Sequence, residues 1–376
     1  MDYYNSIKQF LKGKGWKESI CSKCGSDYFY KKNKNNCGSY KCATGYNFLN
    51  QPSPNKYFKL ENIEKIIRKE LCQSNFSEEE PISVKRDDER TLFASAAGQI
   101  YDDFIYEKEY SEENLKKYVF QPVIRLQGYE KIPHLEGISS SFINAGSEIW
   151  NSSIKDHLES LDKWFDIFSQ MGLFVSNFNL KYKKDLNYWA EKKVPSESLK
   201  INYKGLEIGI ANFFHNIYLD NKETTFSDIS IGLERLTWAV NRTDSYFDAI
   251  GPMPHVLNFE REKMDAIRTL TLMSASGVKP DIKNHGQKFR LLAQNLSEPL
   301  DIFPIQKLVY YYHSEWSKYL NFPFNKKRSL NIIENEINRL KEINLKDKYD
   351  INNEFEKEFK DIFNNPKLLE KIRSQK

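Results

Sequence analysis

The amino-acid sequence predicts an α+β fold in which a largely antiparallel sheet is flanked by helices and followed by a helical domain. Between about residues 81 and 259, short apolar runs typical of strands alternate with helical segments. Beyond residue 260 the apolar spacing is almost entirely helical. The chain has 376 residues, of which 40% are hydrophobic, so it is long enough for two or three domains and a sizeable core.

The first two helices are predicted from apolar spacing near the N-terminus. Residues 3–12 form a short amphipathic pattern, and residues 58–74 repeat apolar side chains on one helical face. Between them lies a cysteine-bearing segment at 20–45, rich in Lys, Asn and Gly. Cys72, near the end of the second helix, is expected to be a core residue.

Strands and a third helix are predicted in the middle of the chain. Residues 120–127 and 199–219 have strand character, and residues 152–171 form a clear amphipathic helix. Asn151 or Ser152 is predicted as the N-cap of that helix. The charged stretch from about 330 to 376 is expected to be a solvent-facing helical appendage.

Charge and hydropathy exclude several classes of protein. The net charge of +4 permits contact with ATP or RNA without arguing for either, since a dedicated nucleic-acid binder carries a denser basic stripe. No apolar run is long enough to cross a membrane, and the polar N-terminus is unlike a secretory signal. We expect a cytoplasmic protein with no membrane partner, whose five cysteines do not form disulfides.

Four cysteines are spaced as two close pairs separated by a loop, at Cys21, Cys24, Cys37 and Cys42. Four thiolates can close a tetrahedral zinc site, so we predict a structural zinc ion held by this set. A fully cysteine-ligated ion has no open coordination position. Four free thiols in a mobile segment, or a redox role, are the alternatives.

Two arginines lie in apolar surroundings, Arg125 in a strand-like run and Arg235 at the start of a helical one. An isolated arginine of this kind is usually a surface group whose stem lies on the core. Their sequence contexts change that interpretation. VIRL (123–126) resembles the start of motif 2 of class II aminoacyl-tRNA synthetases, and IGLERLTWAV (231–240) resembles their motif 3.

The ordered set of motifs most resembles alanyl-tRNA synthetases of the archaeal type. Residues 121–151 align with the motif 2 region without a gap, and 91–101 resemble a further stretch of that family. The resemblance covers about residues 5–295. It implies a catalytic domain at 1–260 with a cysteine-rich insertion, and a helical domain at 261–376 resembling part of the tRNA-recognition domain.

The resemblance also implies roles for single residues. Arg125 would hold the ATP α-phosphate and the carboxylate of the substrate, and Arg235 would hold the γ-phosphate end of a bent ATP. Phe142 would lie under the adenine, and Asp228 would bind the α-ammonium of a small amino acid. Glu207 is a weaker candidate near the nucleotide or Mg²⁺.

Several positions depart from the family pattern. Gly137, Ile138 and Ile143 replace side chains that would contact phosphate or substrate in motif 2. Ser230 would occupy space beside the substrate Cα, which favours a small or polar amino acid. Ile282 replaces an asparagine used to read the acceptor stem.

Three interpretations follow, and the sequence leaves them open. The chain is a truncated paralogue that forms aminoacyl-adenylates for a special tRNA or a non-tRNA acceptor, or a compact ligase that still charges a tRNA acceptor stem. The third is a non-catalytic paralogue that binds amino acid, nucleotide or tRNA as a sensor. The expected cofactors are ATP, Mg²⁺ and structural Zn²⁺.

Overall fold

A nine-stranded sheet with helices on both faces dominates the computed structural model. The structure describes residues 2–32, 35–52, 54–86, 91–106, 111–189, 192–219, 222–249, 261–296 and 305–343. The strands are β1 (Lys17–Ile20), β2 (Asp27–Tyr30), β3 (Ser77–Glu78), β4 (Leu115–Ile124), β5 (Ser141–Trp150), β6 (Phe178–Trp189), β7 (Lys192–Tyr203), β8 (Leu206–Leu219) and β9 (Lys222–Gly232).

Ten α-helices are present in the described ranges. They are α1 (Tyr3–Gly13), α2 (Tyr40–Ala43), α3 (Leu60–Gln73), α4 (Asp102–Tyr106), α5 (Ile154–Gln170), α6 (Leu233–Asn241), α7 (Arg261–Ala275), α8 (Asn284–Ala293), α9 (Ile305–Trp316) and α10 (326–343). None of them has both the length and the apolar character needed to cross a membrane.

The strand order is β1-β2-β6-β7-β8-β9-β5-β4-β3. Every neighbouring pair is antiparallel except β3 and β4, which run parallel over two residue pairs. The predicted α+β class with a largely antiparallel sheet is therefore confirmed. Consecutive strands β6 to β9 form a meander, and β5 joins it through β9.

The two faces of β5 have different partners because side chains alternate along a strand. On one face, Ser147 accepts a hydrogen bond from the α5 indole of Trp164 at 2.8 Å, and Ile143 packs in the main core. The other face carries Phe142 and Asn144, which line a cavity. One face of β5 thus packs under α5, and the other contributes to the cavity wall.

The predicted helices at 3–12, 58–74 and 152–171 are confirmed as α1, α3 and α5. The N-cap of α5 is Ser153, so the prediction of Asn151 or Ser152 is wrong. Ser153 Oγ accepts from the Asp156 amide at 3.0 Å, and the Asp156 carboxylate accepts from the Ser153 amide at 3.2 Å. This reciprocal pair satisfies two amides at the helix start. Cys72 is exposed, which corrects its assignment to the core.

Helix α7 joins the helices beyond residue 260 to the sheet, and α8 and α9 pack against α7. Asp265 of α7 accepts a hydrogen bond from the backbone amide of Ser140 at 2.7 Å. In α10, four apolar side chains at helical spacing are buried, so this part of the predicted solvent-facing appendage is wrong; they are Leu330, Ile333, Ile337 and Leu340. The rest of that stretch, residues 344–376, lies outside the described residues. The predicted domain boundary at 260/261 borders residues 250–260, which the structure does not describe.

Candidate active site and cysteine cluster

A cavity of about 620 Å³ opens on the face of the sheet opposite α5. This volume lies within the range of roughly 300–1,000 Å³ that small-molecule sites occupy. Strands β4, β5, β8 and β9 and the first turn of α6 form its walls. Five of the residues predicted from sequence line it: Arg125, Phe142, Glu207, Ser230 and Arg235.

Arg125 lies directly after the last residue of β4. Its Nε donates to the backbone carbonyl of Ser95 at 2.6 Å. Its guanidinium carbon lies 5.1 Å from the centre of the Phe142 ring, which is a cation–π distance. These two contacts fix the stem and plane of the guanidinium at the cavity wall.

Arg235 is held on another wall by two backbone carbonyls. Its Nε donates to the carbonyl of Gly137 at 2.7 Å, and its Nη1 donates to that of Glu207 at 3.1 Å. Gly137 has φ +74°, and a Cβ there would lie 3.0 Å from the Trp238 ring. Glycine therefore suits the turn that presents the carbonyl to Arg235.

Neither cavity arginine is paired directly with a carboxylate, although the charges of Asp228 and Glu207 act on Arg125 from a distance. In the described part of the chain, neither Arg125 nor Arg235 forms an ion pair with a carboxylate, and the hydrogen bonds of both go to backbone carbonyls. Two cations that share a cavity without a carboxylate partner favour an anionic ligand with several oxygens, because an arginine fork binds such oxygens bidentately.

Asp228 lies below the cavity floor, under Ser230. Ser230 Oγ donates to Asp228 Oδ1 at 2.5 Å, and Asn212 Nδ2 donates to Oδ2 at 3.2 Å. Asp228 is 7% exposed, and its burial raises the pKa of its carboxyl. The structure thus brings Asp228 to the predicted site but places Ser230 between it and the cavity.

The carboxylate of Glu207 contacts a lysine of the next strand. Lys200 Nζ lies 2.9 Å from Glu207 Oε2, so the carboxylate is partly neutralised. Its backbone carbonyl is the atom that contacts Arg235. The predicted role of Glu207 near nucleotide or Mg²⁺ stays a prediction.

Two polar residues of β5 were missed by the sequence analysis. Asn144 lines the cavity, and its Oδ1 accepts from the Ala97 amide at 2.9 Å and from Ser230 Oγ at 3.3 Å. Glu148, two rungs deeper on the same face, is completely buried opposite Asp228. The available signal was the alternation of residues 142, 144, 146 and 148 along one strand.

The four predicted metal-ligating cysteines lie close together in space, although Cys21 and Cys24 belong to one turn and Cys42 to helix α2. The Sγ atoms of Cys21, Cys24, Cys37 and Cys42 all lie within 4.8 Å of one another. Those of Cys24 and Cys37 are 3.8 Å apart, close to the separation of about 3.8 Å that two ligands of a tetrahedral zinc with Zn–S bonds of about 2.3 Å would have. These four cysteines could hold a metal ion.

The sequence is similar to two archaeal alanine–tRNA ligases, although no family model matches the chain. Identity to the ligase of Methanobrevibacter smithii is 20% over 245 residues, covering 62% of this chain and 27% of that protein. Identity to the ligase of Methanocorpusculum labreanum is 24% over 320 residues, covering 78% and 34%. The chain therefore spans about a third of the length of these relatives.

Two solved structures of pyrrolysyl-tRNA synthetase from Desulfitobacterium hafniense align with this chain at 13% identity. Their TM-scores are 0.38 and 0.34, and the alignments cover 50% and 54% of this chain and 70% and 75% of theirs. The sequence matches, the antiparallel sheet and the two arginines on one cavity together support an alanyl-tRNA synthetase-like class II domain in this chain.

Proposed function

We propose that this chain activates a small amino acid with ATP and forms an aminoacyl-adenylate. The observation that carries the proposal is the pair of guanidiniums, Arg125 and Arg235, on walls of one cavity with no carboxylate partner among the described residues. Phe142 adds an aromatic face beside Arg125, on which a base can stack.

The reaction joins a substrate carboxylate oxygen to the α-phosphorus of ATP and breaks the bond from that phosphorus to the bridging oxygen of pyrophosphate. Negative charge grows on the phosphoryl oxygens and on the leaving group. Fixed cations stabilise such charge without reorganising. Arg125 would act at the α-phosphate and the substrate carboxylate, and Arg235 at the γ-phosphate end.

A Mg²⁺ ion bound with ATP would supply positive charge that offsets the charge of the phosphates, and such an ion needs only one or two carboxylates from the protein. Glu207 is the cavity-lining carboxylate that we assign to it or to the nucleotide. Binding there would compete with the ion pair to Lys200. Charging of a tRNA acceptor stem, or of a non-tRNA acceptor, would follow adenylate formation.

The amino-acid end of the cavity would be formed by Asp228 and Ser230. A carboxylate is what an α-ammonium group requires, and Asp228 is aligned by two donors. Ser230 narrows the approach, which fits a small substrate and adds a hydroxyl able to hydrogen-bond a polar one. The Cys21, Cys24, Cys37 and Cys42 set would hold a structural zinc ion away from this chemistry.

A non-catalytic paralogue that binds amino acid, nucleotide or tRNA is the second candidate. It is favoured by Ile138, which lines the cavity where the family pattern has a cation. A second departure does not favour it: Ile143 is buried on the opposite face of β5 from Phe142 and Asn144. Its side chain therefore makes no cavity contact that could have been lost.

The test is amino-acid-dependent ATP–pyrophosphate exchange with each of the twenty amino acids and no tRNA. Exchange with one small amino acid is the expected result. Calorimetry that detects ATP binding while every amino acid fails to support exchange would favour the non-catalytic paralogue. Failure of both measurements would contradict the assignment of the cavity.

A further inference from the structure

A second buried carboxyl lies beside Asp228 beneath the cavity floor. Glu148 on β5 is directly opposite Asp228 on β9, and the same rung continues through Asn212 on β8 to Ser198 on β7. Glu148 is 0% exposed, and neither of its oxygens receives a hydrogen bond from the described residues. An uncompensated charge so deeply buried would be very costly, so this carboxyl needs a physical explanation.

The packing around Glu148 keeps the carboxyl where it is. A Cβ added to Gly146 would lie 2.4 Å from Glu148 Oε1 and 2.3 Å from the Ala97 side chain. Beyond this rung, Phe226 and Trp150 pair across the same strands and belong to a buried apolar cluster. Glu148 does not line the cavity, so any role in the site would have to be exerted through Asp228 on the facing strand.

The hydrogen-bond inventory of the pair indicates where a proton lies. An ionised carboxylate only accepts, so two facing carboxyls can be joined only by a proton held between them. Asp228 accepts from Ser230 and Asn212, and the positive charge of Arg125 favours its ionised form. Glu148 has no such donors. Its burial, reinforced by the Asp228 charge, raises its pKa well above the usual value.

The other titratable group near Glu148 does not supply the missing donor. Tyr101 lies close enough for the Glu148 charge to affect its pKa, but its hydroxyl donates to the carbonyl of Leu115 at 3.2 Å. Two carboxyls this close cannot both ionise. The pair therefore holds at least one proton, and Glu148, whose oxygens receive no hydrogen bond from the described residues, is the carboxyl that favours keeping it.

We propose that Glu148 is a positioning residue that retains a proton, donates it in a hydrogen bond to Asp228, and so fixes Asp228 as the single-charge anchor for the substrate ammonium. The binding of a substrate ammonium by Asp228 rests on the proposed function, which this role of Glu148 deepens. The substrate would have an ammonium group that binds the single negative charge of Asp228. Glu148 would hold that carboxylate in place without contacting the substrate.

The proton is tested by infrared spectroscopy of the whole chain at about pH 8. The protonated-carboxyl C=O band should be present in the wild type and lost in Glu148→Gln. Asp265 does not interfere, because burial raises its pKa only to about 6. The control Thr224→Val, which removes a buried hydroxyl from β9 away from the pair, should keep the band. A band unchanged by Glu148→Gln would overturn the proposal.

The positioning role is tested by exchange kinetics. Glu148→Gln keeps a donor toward Asp228 and should leave the amino-acid KM within about threefold of the wild type. Glu148→Leu removes the donor and should raise that KM about tenfold or more, with the KM for ATP unchanged. Equal effects of both variants on both KM values would overturn the role. If the wild type activates no amino acid, the proposed function fails, while the infrared result still decides the proton.

Discussion

Arg268 Nη2 donates to Glu234 Oε1 at 2.6 Å in a site where both side chains are buried. Glu234 also accepts from the amide of Ile143, and Arg268 donates to the carbonyl of Ser141 at 2.9 Å. The pair therefore joins α7 and α6 to the strand that carries the cavity wall. Arg268 serves here as part of the core, beside the residue that precedes Arg235.

Replacing Arg268 by methionine is expected to destabilise the chain by roughly 3–5 kcal/mol, because it leaves a buried carboxylate without its partner. In a Glu234→Gln background the same replacement should cost less, since the glutamine is neutral. Urea unfolding of the four proteins measures the coupling. Additive changes in the free energy of unfolding would contradict a direct interaction.

Arg235→Lys is expected to lower kcat/KM for ATP in pyrophosphate exchange by about ten- to a hundredfold. The planar fork and its two carbonyl contacts are lost although the charge is kept, and a hydrogen bond to a charged group contributes about 1.5–3 kcal/mol. Arg339→Lys on α10, where the arginine pairs with Glu336, is the matched control. Wild-type kinetics in Arg235→Lys would remove the phosphate role.

The cysteine cluster predicts one zinc ion per chain in protein purified under reducing conditions. Cys37→Ala should abolish stoichiometric zinc and lower the melting temperature, because metal binding contributes to folding. Cys72→Ala, which alters the exposed thiol on α3, should change neither. Elemental analysis with thermal unfolding checks both. Reduced protein that holds no metal would show that the four thiols are free.

His157 makes stability sensitive to acid. Burial lowers its pKa to about 3, whereas an unfolded histidine titrates near about 6.5. The unfolded chain therefore binds the proton first, and the free energy of unfolding should fall as pH drops from about 6.5 toward 3. His157→Asn, which can still hydrogen-bond Ser227, should flatten that part of the profile in urea titrations.

Local patterns were enough to find the residues that belong to short motifs. Arg125 and Arg235 each lie in a short motif that resembles a known one, and the spacing of the four cysteines is typical of a metal site. Glu148 and Asn144 could not be found this way, because their significance depends on the pairing of β5 with β9, about 80 residues later in the chain. Non-local register is what a single sequence specifies least directly.

The two wrong predictions about helices, the N-cap of α5 and the exposure of α10, also depend on contacts that the local sequence does not reveal. Ser153 lies one residue beyond the predicted cap, and helix boundaries depend on side-chain contacts that propensity does not fix. In α10 the many charged residues concealed a stripe of buried apolar ones, which is visible only when the partner surface is known.

The sheet ends in two very short strands. β1 has four residues and β3 has two, whereas β8 near the centre has 14. An unpaired edge invites another molecule to add a strand, and shortness is one of the means by which proteins prevent it. The short strands at the two ends of the sheet cover the outer edges of the longer strands only in part, because β3 pairs with β4 over two residue pairs and β2 pairs with β6 over three. A strand added beside β1 or β3 could form only a few backbone hydrogen bonds because these strands are so short, which weakens assembly through either end of the sheet.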